Sequence, residues 1–153
     1  DRSPMIAVPA QALADAQGAD GELYPVLLAL ARFESDYNPG AIGDNGCSYG
    51  YLQMNRCWGL GAPYSEAQLL DGPTNMRLGA QYIRGRLAAG ASLYDALSPW
   101  SVRPQAWELL QDMQAQGIEG AGGSGAALAL GGAEGGGFLM AAVLGLLLWM
   151  LLS

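Results

Sequence analysis

Residues 31–55 of the chain read ARFESDYNPGAIGDNGCSYGYLQMN, and the rest of the sequence can be arranged around this stretch. Three leucines precede its glutamate at steps of four, three and four, so one helix face carries Leu23, Leu27, Leu30 and Glu34. Because the other three side chains are aliphatic, we expect Glu34 to point into the fold, where burial raises the pKa of a carboxyl group. A carboxyl group that keeps its proton near neutral pH is suited to general-acid catalysis.

The alternative for Glu34 is a solvated carboxylate at the end of a helix, since most glutamates near helix ends face solvent. The sequence does predict such an end, because Pro39 disfavours helical geometry at the residue before it. Residues 22–34 are therefore predicted as a helix and residues 40–49, rich in Gly, Asp and Asn, as a loop. Residues 49–54 form either a short strand or a loop that lines a cleft.

Four segments resemble the motifs of the soluble lytic transglycosylase family of the lysozyme-like superfamily, in that family's order. Residues 34–41 (ESDYNPGA) resemble its Glu-Ser pair followed by Asn-Pro and Ala, and residues 50–55 (GYLQMN) resemble its Gly-Leu-Met-Gln run. Residues 75–83 (NMRLGAQYI) resemble its Asn and Gly-x-x-Tyr-Leu helix, and residues 100–104 (WSVRP) resemble its Tyr-Asn-x-Gly-Pro segment. The resemblance covers roughly residues 23–107 and implies a mainly α, lysozyme-like α+β fold with a minor β region.

The resemblance also implies an activity, which is cleavage of the β-1,4 bond between N-acetylmuramic acid and N-acetylglucosamine in peptidoglycan. Glu34 would protonate the glycosidic oxygen and then take a proton from the muramoyl C6 hydroxyl, which closes a 1,6-anhydro ring. The positions that match the family motifs would contact the sugar or position the acid, and they are Ser35, Tyr51, Gln53, Asn55, Trp100 and Ser101. The segment at residues 100–104 departs from the family pattern, with Trp, Ser and Arg where Tyr, Asn and Gly are usual.

Two other functions stay open. Residues 48–55 (SYGYLQMN) also resemble a run of animal c-type lysozymes, which hydrolyse the same bond with a second carboxylate placed directly before the Tyr-Gly pair. Ser48 occupies that position here, which favours the transglycosylase and leaves Asp36 and Asp44, both in turn-rich sequence, as candidates for a muramidase. The altered segment at residues 100–104 also fits a catalytically weak domain that binds peptidoglycan as a structural component.

Composition excludes several classes of function. The chain has 153 residues and a formal net charge of -7, which argues against nucleic acid as a partner. It contains no histidine, so Ser-His or Cys-His nucleophiles and His-ligated metal sites cannot be built. We expect no cofactor and no metal, and carboxylates remain as the main groups for acid-base chemistry.

The two cysteines, Cys47 and Cys57, flank the run at residues 50–55. In an exported domain they would form a disulfide that holds this run against the helix of the acid, whereas in a reducing compartment they would be small buried apolar side chains. The aromatic residues that follow, Trp58 and Tyr64, either form a platform for a saccharide or fill the core.

The composition changes abruptly near the C-terminus. We predict a lysozyme-like domain at residues 1–116, a flexible Gly-rich linker at 117–137 and a transmembrane helix at 138–153. The uncharged run at residues 135–153 is 19 residues long, within the span of about 17 to 25 that a membrane helix needs. No Lys or Arg flanks this run to set its orientation.

A membrane anchor would determine where the domain works. We expect it to face peptidoglycan, either on the periplasmic side of the bacterial inner membrane or at the membrane or vertex of a phage particle. The expected partners are peptidoglycan glycan strands, the lipid bilayer, and other subunits of a secretion, conjugation or phage assembly that needs a local opening in the wall.

Overall fold

The structure is a computed structural model that describes residues 4–122, and these residues form six α-helices and a small sheet. The helices are α1 (Ala10–Ala19), α2 (Tyr24–Ser35), α3 (Glu66–Leu70), α4 (Gly72–Ala88), α5 (Leu93–Ala96) and α6 (Arg103–Gln116). The strands are β1 (Ile42–Gly43), β2 (Ser48–Tyr49) and β3 (Met54–Asn55), antiparallel in the order β1-β2-β3. A mainly helical fold with a minor β region is thus confirmed.

Helix α2 forms the centre of the core. Residues 25–31 are all buried, because α1, α4 and α6 pack around this helix. The spacing of the leucines predicted one buried face, and this prediction was too narrow, since Leu28 and Ala29 are buried as well. Residues 25–31 contain only apolar side chains, which is the composition of a helix that is enclosed on every side.

Side-chain caps fix where several helices begin. The carboxylate of Asp20 accepts backbone N–H bonds from Glu22 and Leu23 just before α2. The carboxylate of Asp71 accepts the N–H of Thr74, and α4 therefore begins at Gly72, three residues before the segment at 75–83 that resembles the family's helix. The short helix α3 was missed, although the Ser-x-x-Gln capping box at residues 65–68 is a sequence signal for its start.

The turn after α2 leads into the sheet. Asp36 and Tyr37 adopt left-handed backbone at φ 50° and 61°, which ends the helix close to the predicted place. In the sheet Ile42 pairs with Tyr49, and Tyr49 pairs with Met54. The run at residues 49–54, for which the sequence allows a strand or a loop, is therefore a turn at residues 50–53 with a short strand on each side.

The two ends of the described chain meet in a parallel bridge between Ile6 and Ile118. Ile6 donates its N–H to the Gly117 carbonyl at 2.8 Å, and its own carbonyl accepts the Glu119 N–H at 2.9 Å. Because Ile118 is also buried, the folded unit extends past the predicted boundary at residue 116. The remaining linker and the predicted helix at 138–153 lie outside the described residues, and no helix within residues 4–122 is long and apolar enough to cross a membrane.

Candidate active site

Glu34 lies in the last turn of α2, half-buried, on the wall of a cleft of about 460 Å³. Its pKa is raised from 4.5 to about 7, first because burial penalises the charged carboxylate and second because of the negative charge of Asp44. The raised pKa agrees with the expectation from the leucine spacing. Glu34 can therefore hold a proton close to neutral pH and present it inside a cleft.

Asp44 lies in the same cleft, in the short 3₁₀ turn between β1 and β2. The hydroxyl of Ser48 donates to its Oδ2 at 2.5 Å. Glu34 and Asp44 are the two ionisable side chains that line this cleft in the described part of the chain. Of the two candidates for a second carboxylate, Asp36 is instead exposed, does not line the cleft and pairs with Arg32 at 2.9 Å.

Gln53 lines the cleft, but its side chain is already bonded to the backbone. Its Nε2 donates to the carbonyls of Ala41 at 3.1 Å and Gly50 at 3.0 Å. Its Oε1 lies against Gly43, where an added Cβ would approach within 2.4 Å. Gln53 also holds left-handed backbone at φ 47°, as Asp44 does at φ 49°. A non-glycine residue in this conformation costs free energy and persists only where the surrounding structure holds it. Such residues are concentrated at functional sites.

The predicted site residues divide into two groups. The first group lines the cleft together with Glu34 and comprises Gln53, Asn55, Trp100 and Ser101. The second group, Ser35 and Tyr51, does not line it. Trp100 is only 4% exposed and donates its Nε1–H to the Leu52 carbonyl at 2.9 Å, so it forms a fixed wall of the cleft.

Tyr51 is not placed to touch a sugar, which was one of the two roles that the family resemblance implied for it, the other being to position the acid. Its side chain is 1% exposed and donates its hydroxyl to Asp15 Oδ2 at 2.8 Å. Ser35 donates its hydroxyl to the Tyr51 carbonyl at 2.8 Å. The two residues therefore join α2 to the turn at 50–53 from behind the cleft wall.

Asn75 supports the same turn, and sequence reasoning noted it only as part of a family motif. Its side chain is fully buried, accepts the Leu52 N–H at 3.0 Å, and donates to the carbonyls of Tyr49 and Leu69 at 3.0 and 2.9 Å. Gly50 passes directly beside it at φ 79°, and an added Cβ would lie 2.3 Å from the Asn75 amide nitrogen. A polar residue on the apolar face of the predicted helix was the available signal for this role.

Cys47 and Cys57 form a disulfide, as predicted. The bond links the start of β2 to the segment after β3, where Asn55 Oδ1 accepts the N–H groups of Cys57 at 2.8 Å and Trp58 at 3.0 Å. Trp58 lines the cleft and is 78% exposed, so it is not a core residue. Tyr64, the other candidate for a platform, is partly buried and packs against the core.

Comparison of the chain with models of protein families, with curated proteins and with solved structures finds no match.

Proposed function

We propose that this protein is a peptidoglycan lytic transglycosylase that cleaves the β-1,4 bond between N-acetylmuramic acid and N-acetylglucosamine. The observation that supports it most is the half-buried Glu34 carboxyl group, which faces a cleft and has a pKa raised to about 7. A second support is the family resemblance, since four motifs occur in order and all four contribute residues to this cleft or to the turn behind it.

The reaction needs one proton donor that later becomes a proton acceptor. Glu34 gives its proton to the glycosidic oxygen as the bond from that oxygen to C1 of the muramoyl residue breaks, and N-acetylglucosamine leaves with a free hydroxyl. The C6 oxygen of the same muramoyl residue then bonds to C1, and its proton passes to the Glu34 carboxylate. The cycle consumes no water and leaves Glu34 protonated. Activity therefore falls as the pH rises through about 7, where Glu34 loses its proton in the free enzyme.

The cleft also offers separate groups for charge and for sugar contact. The carboxylate of Asp44 stabilises the positive charge that develops at C1, and it favours the protonated form of Glu34 beforehand. Trp58 presents an exposed indole at the cleft, and its apolar ring face suits the C–H face of a pyranose. Ser101 and Asn55 add polar groups along the same walls.

A second candidate function is hydrolysis of the same bond, and the placement of Asp44 favours it. The sequence motif lacks a carboxylate before the Tyr-Gly pair, yet Asp44 lies on the cleft and its hydrogen bond from Ser48 holds it beside that position. In a muramidase Asp44 would activate a water molecule or stabilise the glycosyl intermediate. Both functions share Glu34 as the acid and differ in whether C6 oxygen or water attacks C1.

Mass spectrometry of the muropeptides that the full chain releases from purified peptidoglycan separates these functions. We expect products with 1,6-anhydro ends. Asp44→Asn is expected to keep transglycosylase activity at a reduced rate, because the charge that stabilises C1 in the transition state is lost. Its loss of activity at high pH is expected to move to a lower pH, because a negative charge that raises the pKa of Glu34 is removed. Reducing ends, together with inactivity of Asp44→Asn, would establish the muramidase instead. Binding to peptidoglycan without any release would refute both enzymatic functions.

Replacing Trp58 with Ala is expected to raise KM for peptidoglycan about tenfold and to change kcat little, because the lost stacking affects the bound ground state and transition state alike. A tenfold change corresponds to about 1.4 kcal/mol of binding free energy. The control is Trp58→Phe, which keeps an aromatic face and is expected to lie near the wild type. A KM within twofold of the wild type in Trp58→Ala would remove the platform from the proposal.

In its biological setting the protein would make a local opening in the cell wall for a trans-envelope machine or for phage entry. The uncharged segment at residues 138–153 supports a membrane anchor, and the Gly-rich segment before it supports a tether that lets the domain reach peptidoglycan. The acidic composition supports the absence of nucleic acid among its partners.

A further inference from the structure

Asp15 on α1 is a buried carboxylate that the proposed chemistry does not use. It is 8% exposed, and among the described residues it takes part in no ion pair with an arginine. Its Oδ1 accepts the side-chain amide of Gln11 at 2.8 Å, and its Oδ2 accepts the hydroxyl of Tyr51 at 2.8 Å. A carboxylate buried in this way needs a structural reason, because burial penalises its charge.

The N-terminus of α4 supplies part of that reason. Gly72 is the first residue of this 17-residue helix, and a Cβ added to it would lie 2.8 Å from Asp15 Oδ2 and 2.8 Å from Tyr51 Cε2. The partial positive charge at a helix N-terminus favours a carboxylate there. A glycine at position 72 allows the helix end to approach both side chains, so α1, α4 and the turn at 50–53 meet at one point.

Tyr51 connects this point to the acid. Burial and the hydrogen bond to Asp15 raise the pKa of the Tyr51 hydroxyl, so it stays protonated and continues to donate. The Tyr51 carbonyl accepts the hydroxyl of Ser35, which is the residue after Glu34 in the last turn of α2. A continuous series of contacts thus runs from Asp15 through Tyr51 and Ser35 to the segment that holds Glu34.

We propose that Asp15 and Tyr51 are positioning residues that fix the turn at 50–53 against α2 and, through Ser35, hold the Glu34 carboxyl group at its place in the cleft. The inference rests on the proposed function, in which Glu34 is the acid. Neither residue touches the substrate, since Tyr51 is 1% exposed and neither of them lines the cleft. Their loss lets the last turn of α2 move, admits water around Glu34 and removes the burial that keeps it protonated.

The test measures Glu34 directly. In the full chain with ¹³C-labelled glutamate carboxyl groups, the Glu34 signal is assigned by its absence in Glu34→Gln and is titrated by NMR. Asp44 is the other charged residue that lines the cleft in the described part of the chain, and its charge also raises the pKa of Glu34. Because the variants leave Asp44 unchanged, a lower Glu34 pKa reports a loss of burial of its carboxyl group. The variants are Tyr51→Phe and Asp15→Ala, with kcat and KM on peptidoglycan measured in parallel.

We expect the Glu34 pKa in both variants to fall from about 7 towards 4.5, and kcat at pH 7 to fall about ten- to a hundredfold with KM within twofold. Asp15→Asn keeps an acceptor for Tyr51 and is expected to lie much closer to the wild type than Asp15→Ala. Arg84→Ala is the control for general destabilisation, because it removes the bonds to Asp20 and Glu22 away from the cleft.

An unchanged Glu34 titration and kcat in folded Tyr51→Phe, or an equal shift in Arg84→Ala, would overturn the positioning role. Failure of the proposed function looks different. In that case the wild type releases no muropeptides, whereas the Glu34 titration still shifts in Tyr51→Phe and shows that the network positions this carboxyl group.

Discussion

Replacing Glu34 with Gln is expected to lower muropeptide release by about 10³-fold or more, since general acid-base groups contribute about 10² to 10⁴ and Glu34 serves twice in the cycle. Glutamine keeps the size of the side chain and removes its titratable proton. The same loss is expected for the transglycosylase and for the muramidase, because both begin with protonation of the glycosidic oxygen. The measurement is chromatographic quantification of products from purified peptidoglycan at pH 6.

The matched control is Glu108→Gln, which makes the same chemical change on the exposed side of α6 and is expected to keep full activity. Thermal unfolding of Glu34→Gln is expected to be close to that of the wild type. In the wild type the Glu34 carboxyl group makes no side-chain hydrogen bond within residues 4–122 and is already held near its neutral form, so little stabilisation is lost. Release by Glu34→Gln within tenfold of the wild type would show that another group supplies the proton.

Replacing Asn75 with Ala is expected to lower the free energy of unfolding by about 3 to 5 kcal/mol, because large losses follow when a buried hydrogen-bond network is broken. The truncation leaves the Leu52 N–H and the carbonyls of Tyr49 and Leu69 without their partner in the core. It also frees the turn that carries Gln53, so activity is expected to fall with stability. Equilibrium unfolding in urea measures the change.

Two further variants make this result specific to Asn75. Gln81→Ala lies on an exposed position of the same helix and is expected to change stability by no more than about 0.5 kcal/mol. Asn75→Asp keeps the acceptor for Leu52 but loses both donors and buries a charge, so it is expected to be at least as destabilising as Asn75→Ala. A loss below about 1 kcal/mol in Asn75→Ala would mean that the turn at 50–53 is held by its other contacts.

The sequence predicted those features that depend on local pattern. Aliphatic spacing predicted α2 and the burial of Glu34, and the placement of two cysteines around one run predicted their bond. These inferences succeed because a helix face and a short loop are decided by residues that are close in the sequence. The predicted domain boundary at residue 116 lies a few residues too early, since Ile118 pairs with Ile6, more than a hundred residues away in the sequence.

The direction of individual side chains in the turn at 50–53 could not be read in the same way. For Tyr51 the sequence left sugar contact and positioning of the acid as alternatives, and the side chain lies in the core, because its direction depends on an acceptor from α1, 36 positions earlier in the sequence. The choice between Asp36 and Asp44 likewise depends on the left-handed residues that end α2, which turn Asp36 outward to Arg32. The first case depends on a tertiary contact and the second on the backbone conformation at the helix end, and the spacing of apolar residues records neither.

The bridge between Ile6 and Ile118 has a mechanical consequence. The first and last segments of the described residues lie side by side, and two backbone hydrogen bonds join Ile6 to Gly117 and Glu119. Tension applied between the two ends is therefore taken up first by these two bonds, before it reaches α2 or the sheet. This contact can therefore open while Glu34 and Asp44 keep their positions in the cleft.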